Sequence, residues 1–394
     1  MEVNKTLMAK TAPKITLSPP LWPTAGGPGQ RRAVSRTSPA ELTVAWRVAF
    51  KDQITPPVVG GDGTIYVGGF DKHLYAFSPA GALALKKKFI GPIMSDPAIG
   101  ATGLIFVAPH HRPPTGLETT LCAIDPTRPK GDEIVWSVTF AGAARPLLPH
   151  PDGGVLAVSS GGVLHSVNAA GIERFAARFG ESSSVGPTLL SDGTTVVLAE
   201  EGRTTRVIGL APDGGQRFAV TVPSTIAPAT ALDDGGFWLL SVDGARRRMD
   251  ADGREVAVLP PLDASAFFQC GLALRPDGGL WVARSQRHAG ALIDLDPTGA
   301  VRGQVSLGDG AGPALGFIDG AALVAARDGT LTLVTAEREI AWSLPVGDPA
   351  SEASGATPAP VVPSLDGFVT RVDGASSANS ERQPCELVGL AAPR

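Results

Sequence analysis

The chain has 394 residues, of which 43% are hydrophobic and 18% charged, and a formal net charge of −4. That balance excludes a general polyanion binder, so no nucleic-acid partner is expected. No apolar run approaches the ~18–20 residues that cross a bilayer, so no membrane insertion is expected. Gly (48) and Pro (35) are frequent and recur between short apolar runs, which reads as turn punctuation.

Residues 1–40 come first. They are rich in Pro, Ser, Thr and Gly and carry Lys5, Lys10, Lys14, Arg31, Arg32 and Arg36 against the acid Glu2. Such a composition buries too little apolar surface to order itself, so a disordered basic segment is expected. Within it, ITLSPPLWP offers Leu21 and Trp22 as anchors of an extended docking motif. The alternative is a linker draped over the rest of the chain. The segment has neither the apolar h-region of a secretory signal nor a lipobox cysteine. The expected location is cytoplasmic, or periplasmic if the true start lies upstream.

Residues 43–50, TVAWRVAF, read as a strand with no partner nearby in sequence. From Pro57 onward the chain repeats itself. Each segment has a Pro- or Gly-led apolar run, a turn, and three more runs. The turns are Asp62-Gly63, Thr102-Gly103, Asp152-Gly153, Asp192-Gly193, Asp234-Gly235, Asp277-Gly278, Asp319-Gly320 and Asp366-Gly367. Asp-Gly between apolar runs is a strong hairpin signal, because both residues tolerate positive φ. Runs of ~5–8 residues rich in β-branched and aromatic side chains are strands, and no segment shows a helical period. Eight such segments make an all-β protein, an eight-bladed β-propeller of four-stranded antiparallel blades spanning 41–394 as one domain. The eighth segment ends after three runs. Its fourth strand is 43–50, whose Trp46 matches Trp136 and Trp342 in other fourth strands.

The first repeat, PPVVGGDGTIYVGGFDKHLYAFSPAGALALKKKF (56–89), resembles the pyrroloquinoline-quinone-like, quinoprotein-type propeller repeats. The resemblance covers roughly 43–394. It implies the propeller fold and two branches: quinone- and calcium-dependent dehydrogenases, and cofactor-free scaffolds similar to the lipoprotein subunit of the outer-membrane β-barrel assembly machine. The dehydrogenases carry a disulfide between adjacent cysteines over the cofactor. Cys122, Cys270 and Cys385 are far apart and include no such pair. The chain is therefore closer to the scaffold branch, and no cofactor is expected.

In a propeller, the loops from second to third strand and between blades share one face. Long loops there run over 109–118, 285–290 and 373–384. The binding-face candidates are Lys72, His73, His110, His111, Arg112, Arg287, His288 and Arg327, with Arg246, Arg247 and Arg248 beside the blade-five turn. They read as a basic rim for an acidic partner or anionic ligand, or as a solvated face with unrelated charges. A metal site from His110, His111 and His288 with Glu118 lacks a ligand set placed by spacing, so no metal is assigned. No nucleophile elbow, zinc-protease or P-loop motif occurs, so no catalytic residue is assigned. Tyr66, Tyr75, Trp136, Trp238, Trp281 and Trp342 sit at repeat-equivalent positions and read as packing between blades. The preferred expectation is a non-catalytic scaffold with a protein partner. The alternative is a propeller enzyme (a lactonase or lyase, or a quinone- or metal-dependent oxidoreductase) with a small molecule at the channel mouth.

Overall fold

The computed structural model describes residues 13–393 except 25–26, 28–32, 115, 145–146, 182, 184, 226, 264–267, 269–271, 286–288, 309, 327–328, 348–360 and 374–384. No described residue is helical. The strands form eight antiparallel sheets of four principal strands each, one per blade. Blade 1 is Val58–Val59, Ile65–Gly68, His73–Phe77 and Leu83–Lys88, in that order from the axis outward. Blades 2 to 7 repeat the order, and blade 2 has an additional short strand, His110–His111.

Burial explains why the blades read as they do. The two inner strands of blade 1 are wholly buried, and its outer strand Leu83–Lys88 only partly so. A blade packed between two neighbours covers both of its faces, so inner strands are continuous apolar runs. Successive side chains point to opposite joints. In blade 5, Phe237 packs towards blade 4 and Trp238 towards blade 6. Seven apolar clusters seal the joints, and the largest spans blades 7, 8 and 1.

At six of the seven Asp-Gly turns the glycine takes the positive φ, for example 80° at Gly63 and 88° at Gly153, while Gly367 of blade 8 does not. The aspartate keeps its ordinary backbone. Its carboxylate instead accepts the N–H two residues on, as Asp62 does from Thr64 and Asp152 from Gly154.

Blade 8 joins the two ends of the chain. Thr43–Phe50 pairs with Cys385–Ala391, from Thr43 opposite Ala391 to Phe50 opposite Cys385, with a bulge between Val44 and Trp46. The Trp46 indole N–H donates to the Pro79 carbonyl of blade 1 at 2.9 Å. Trp136 of blade 2 does the same to Ala169 of blade 3 at 3.0 Å. Trp342 of blade 7 finds the Pro39 carbonyl at 3.1 Å. Blade 8 has a chain break where other blades have a turn between third and fourth strands, and Pro39 stands in for that turn.

The described part of the N-terminal segment lies against the ring. Trp22 is buried, and its backbone exchanges hydrogen bonds with Val59 of the innermost strand of blade 1. The Pro23 carbonyl accepts from Ile99 of blade 2. Ala33–Val34 pairs in parallel with Gly316 and Phe317 of blade 7. In blades 3, 4 and 6 an outer-strand arginine (Arg174, Arg217, Arg302) holds the turn aspartate, and in blade 5 Arg248 does so from the third strand. In blades 1 and 7 the segment does this itself: Thr16 N–H reaches Asp62, and Ser38 N–H and O–H reach Asp319, all at 2.8 Å. Arg36 donates to the Ser364 and Gly367 carbonyls of blade 8. The described residues of the segment thus contact blades 1, 2, 7 and 8.

Deleting residues 43–50 is expected to lower the melting temperature of the whole ring in one cooperative transition. Local fraying at an unchanged midpoint, read by circular dichroism and tryptophan fluorescence together, contradicts closure. Trp46→Ala alone should cost about 2 kcal/mol, less than a fully buried tryptophan because its side chain is half-exposed.

Candidate functional site

The face opposite the N-terminal segment carries the turns from second to third strand and the connections between blades. On it lies a cleft of about 770 Å³ at the joint of blades 1 and 2. Lys72 from the blade-1 turn stands at one side. His110, His111 and Arg112 from the blade-2 loop stand at another, and the connection 90–96 lies between. The loop is held by its own hydrogen bonds. His110 and His111 pair with Thr119 and Glu118, and the His110 N–H donates to the Pro92 carbonyl at 2.9 Å. Gly91 permits that approach, because a Cβ there would meet the His110 carbonyl oxygen at 1.5 Å.

The side chains have different surroundings. His110 is buried. The His111 Nε2 lies 3.1 Å from Glu118 Oε2. Lys72 and Arg112 are exposed. Asp96 lines the inner end, and burial pushes its carboxyl up to about 6 against the opposing charge of Arg371. His73 lies outside the cleft lining, with its Nδ1 2.9 Å from the Asp71 carbonyl and 3.2 Å from the carboxylate that Tyr75 O–H also meets.

Lys72 stands out in its backbone. It has φ 73°, one of only two described non-glycines with positive φ. Its N–H closes the turn onto Gly69, and its carbonyl accepts from Phe89. Gly162 of blade 3 and Gly329 of blade 7 make the same pair of bonds, with φ 71° and 78°. Gly244 of blade 5 closes the same turn with φ 80°. Blade 1 thus has a lysine where three other blades have glycine. The departure is visible in the sequence as Asp71-Lys72 where blades 3 and 7 have Gly161-Gly162 and Asp328-Gly329.

Arg287, His288 and Arg327 lie outside the described residues, as do 286–288 and 374–384 of the long loops. The blade-five arginines are used within the molecule: Arg247 pairs with Glu255, Arg248 with Asp234, and Arg246 is buried where other blades place Leu74, Leu164 and Leu331. Leu21 is exposed beside the buried Trp22. Trp238, Trp281, Tyr66 and Tyr75 are buried at the joints, as expected of packing aromatics.

Among the described residues, no three His, Cys, Asp or Glu side chains gather into a metal-binding group. Cys122 and Cys385 are buried thiols in the third strands of blades 2 and 8, neither in a disulfide. Cys270 lies outside the described residues, but no cysteine has another beside it in sequence. The residues present do not fit a quinone held under adjacent bridged cysteines.

No family model matches the sequence, and no curated protein does. Solved structures do match. BamB from Moraxella catarrhalis superposes with a TM-score of 0.63 at 14% identity, over 88% of this chain and 99% of that one. A europium-containing methanol dehydrogenase gives 0.64 at 13%, over 90% of each chain. Sqt1 of Saccharomyces cerevisiae gives 0.61 at 11%, over 88% and 98%. The chain has the quinoprotein-type eight-bladed propeller fold, and identities this low carry the fold alone.

Two substitutions test this site. Lys72→Gly should stabilise the ring by about 1 kcal/mol in denaturant unfolding, because glycine takes the left-handed turn without a Cβ penalty. Asp96→Asn should show a pH signature. With its folded pKa above the ordinary carboxylate value, Asp96 contributes most below about pH 4 and loses that contribution as pH rises through about 6. The variant should match wild type at pH 4 and melt higher at pH 7.5; equal melting at both contradicts the shift.

Proposed function

We propose that this chain is a non-catalytic interaction scaffold that presents the loop face of the ring to a protein partner. The observation that carries the reading is an asymmetry between the two faces. The turn face is crossed by the chain's own residues at blades 1, 2, 7 and 8. The loop face has an open cleft at which Lys72, His110, His111 and Arg112 converge from two blades. A rigid ring positions such loops without needing chemistry from them. The same ring serves chains as different as BamB, Sqt1 and a methanol dehydrogenase, so the argument rests on the site and not on the fold.

The enzyme reading has one supporting feature, the His111–Glu118 pair beside the cleft. A histidine oriented by a carboxylate is a usable general base. No metal-binding group stands with it among the described residues.

Mild purification from the native host separates these readings. The scaffold should come with a protein partner in fixed stoichiometry and show only protein absorbance. A quinone chromophore, or a metal at one equivalent, overturns the scaffold reading.

A further inference from the structure

Two described residues other than glycine hold a left-handed turn, and both replace a glycine of the repeat. One is Arg338, at the turn between third and fourth strands of blade 7. Blades 1, 3, 4, 5 and 6 have Gly81, Gly171, Gly214, Gly253 and Gly299 there, each closing the same bond to the residue three before. The reason for Arg338 is visible. Its guanidinium lies 3.1 Å from the fully buried Asp294 carboxylate of blade 6. The other is Lys72. Its ammonium has no carboxylate within ion-pair distance among the described residues, and it stands at the cleft. Backbone strain held where glycine would serve marks a side chain with a task.

Arg112 supplies a second cation at the same cleft, also without an ion pair among the described residues. The nearby carboxylates are engaged. Asp71 takes the Tyr75 hydroxyl and faces His73, Glu118 faces His111, and the charge of Arg371 acts on Asp96. Among the described residues, the cleft therefore offers two positive charges without an ion pair. Between them the connecting segment exposes apolar side chains, Ile90 at 69% and Met94 at 51%. Methionine adapts its shape to varied apolar partners. The Ser95 hydroxyl, in the same lining, is buried with no hydrogen-bond partner.

We infer that the cleft between blades 1 and 2 binds an extended acidic peptide segment of the partner, with carboxylates on Lys72 and Arg112 and an apolar side chain between them on Ile90 and Met94. This rests on the scaffold reading and sharpens it to one element of the partner. The Ser95 hydroxyl is placed to serve the peptide backbone. Charge-assisted hydrogen bonds to two cations set the preference for acid. The apolar floor demands more than a small anion.

The test is selection of displayed random peptides of about 12 residues on the intact protein. Length follows the reach of an extended chain, about 3.3 Å per residue. Enriched sequences should place Asp or Glu within a few positions of Leu, Phe or Met. Their affinity should fall with added salt and drop about tenfold for each of Lys72→Gly and Arg112→Gln. Lys72→Gly installs the residue of the equivalent turns, so loss of binding there is not loss of folding. Basic or uncharged consensus sequences, or unchanged binding by the double variant, overturn the inference. Citrate binding as tightly as the best peptide also overturns it, in favour of a small-anion site. If the native-host partner is found but cross-links elsewhere on the ring, the cleft assignment fails and the scaffold reading stands.

Discussion

The ring depends on each blade having a neighbour on both faces. A four-stranded sheet of continuous apolar strands has no stable existence alone, and stacking side by side in an open row would leave two greasy ends. Curling into a circle removes both ends if the last joint closes. Here it closes by main-chain pairing between Thr43–Phe50 and Cys385–Ala391, and by the apolar cluster that runs through blades 7, 8 and 1. The chain termini are thereby tied into one sheet. Every other feature, including the cleft, inherits its rigidity from that closure.

A second device recurs around the ring. Fourth-strand side chains reach sideways to the next blade. Trp46 packs over Gly81 and Trp136 over Gly171, where a Cβ would collide with the indole. Phe175 and Phe218 cover Gly214 and Gly253 in the same way. Glycine at these turns thus serves two needs, a positive φ and room for an aromatic ring. Arg338 breaks this economy in blade 7, and Lys72 replaces the glycine of a different turn, between second and third strands, so that both departures are cations. In Arg338 the compensation is internal, through Asp294. Reading Lys72 against Arg338 turns an ordinary surface lysine into a candidate anchor.

The N-terminal segment changes the meaning of the two faces. Its composition has few apolar residues with which to build a core of its own. Its described residues instead borrow hydrogen bonds from strands that already exist, at Val59, Ile99 and Phe317. A polar segment needs no core of its own when a preformed inner edge offers backbone partners. It also fills the place that arginines hold in other blades, by giving Asp62 and Asp319 backbone donors. No local pattern in ITLSPPLWP announces this.

The blade count, the strand order and the closing strand around Trp46 were all legible in the sequence, because a repeat that must bury both faces leaves the same marks eight times. The aromatic packing positions were legible for the same reason. The site was legible only in part. Lys72, His110, His111 and Arg112 could be placed on one face by their position in the repeat, but so could Arg246 to Arg248, which the structure buries or pairs within blade 5. Whether a charge faces solvent, a carboxylate or a cleft depends on residues distant in sequence, such as Arg338 of blade 7 meeting Asp294 of blade 6. Repetition wrote the architecture into local sequence. The pairing of charges is a property of neighbours, and only the closed ring decided who the neighbours are.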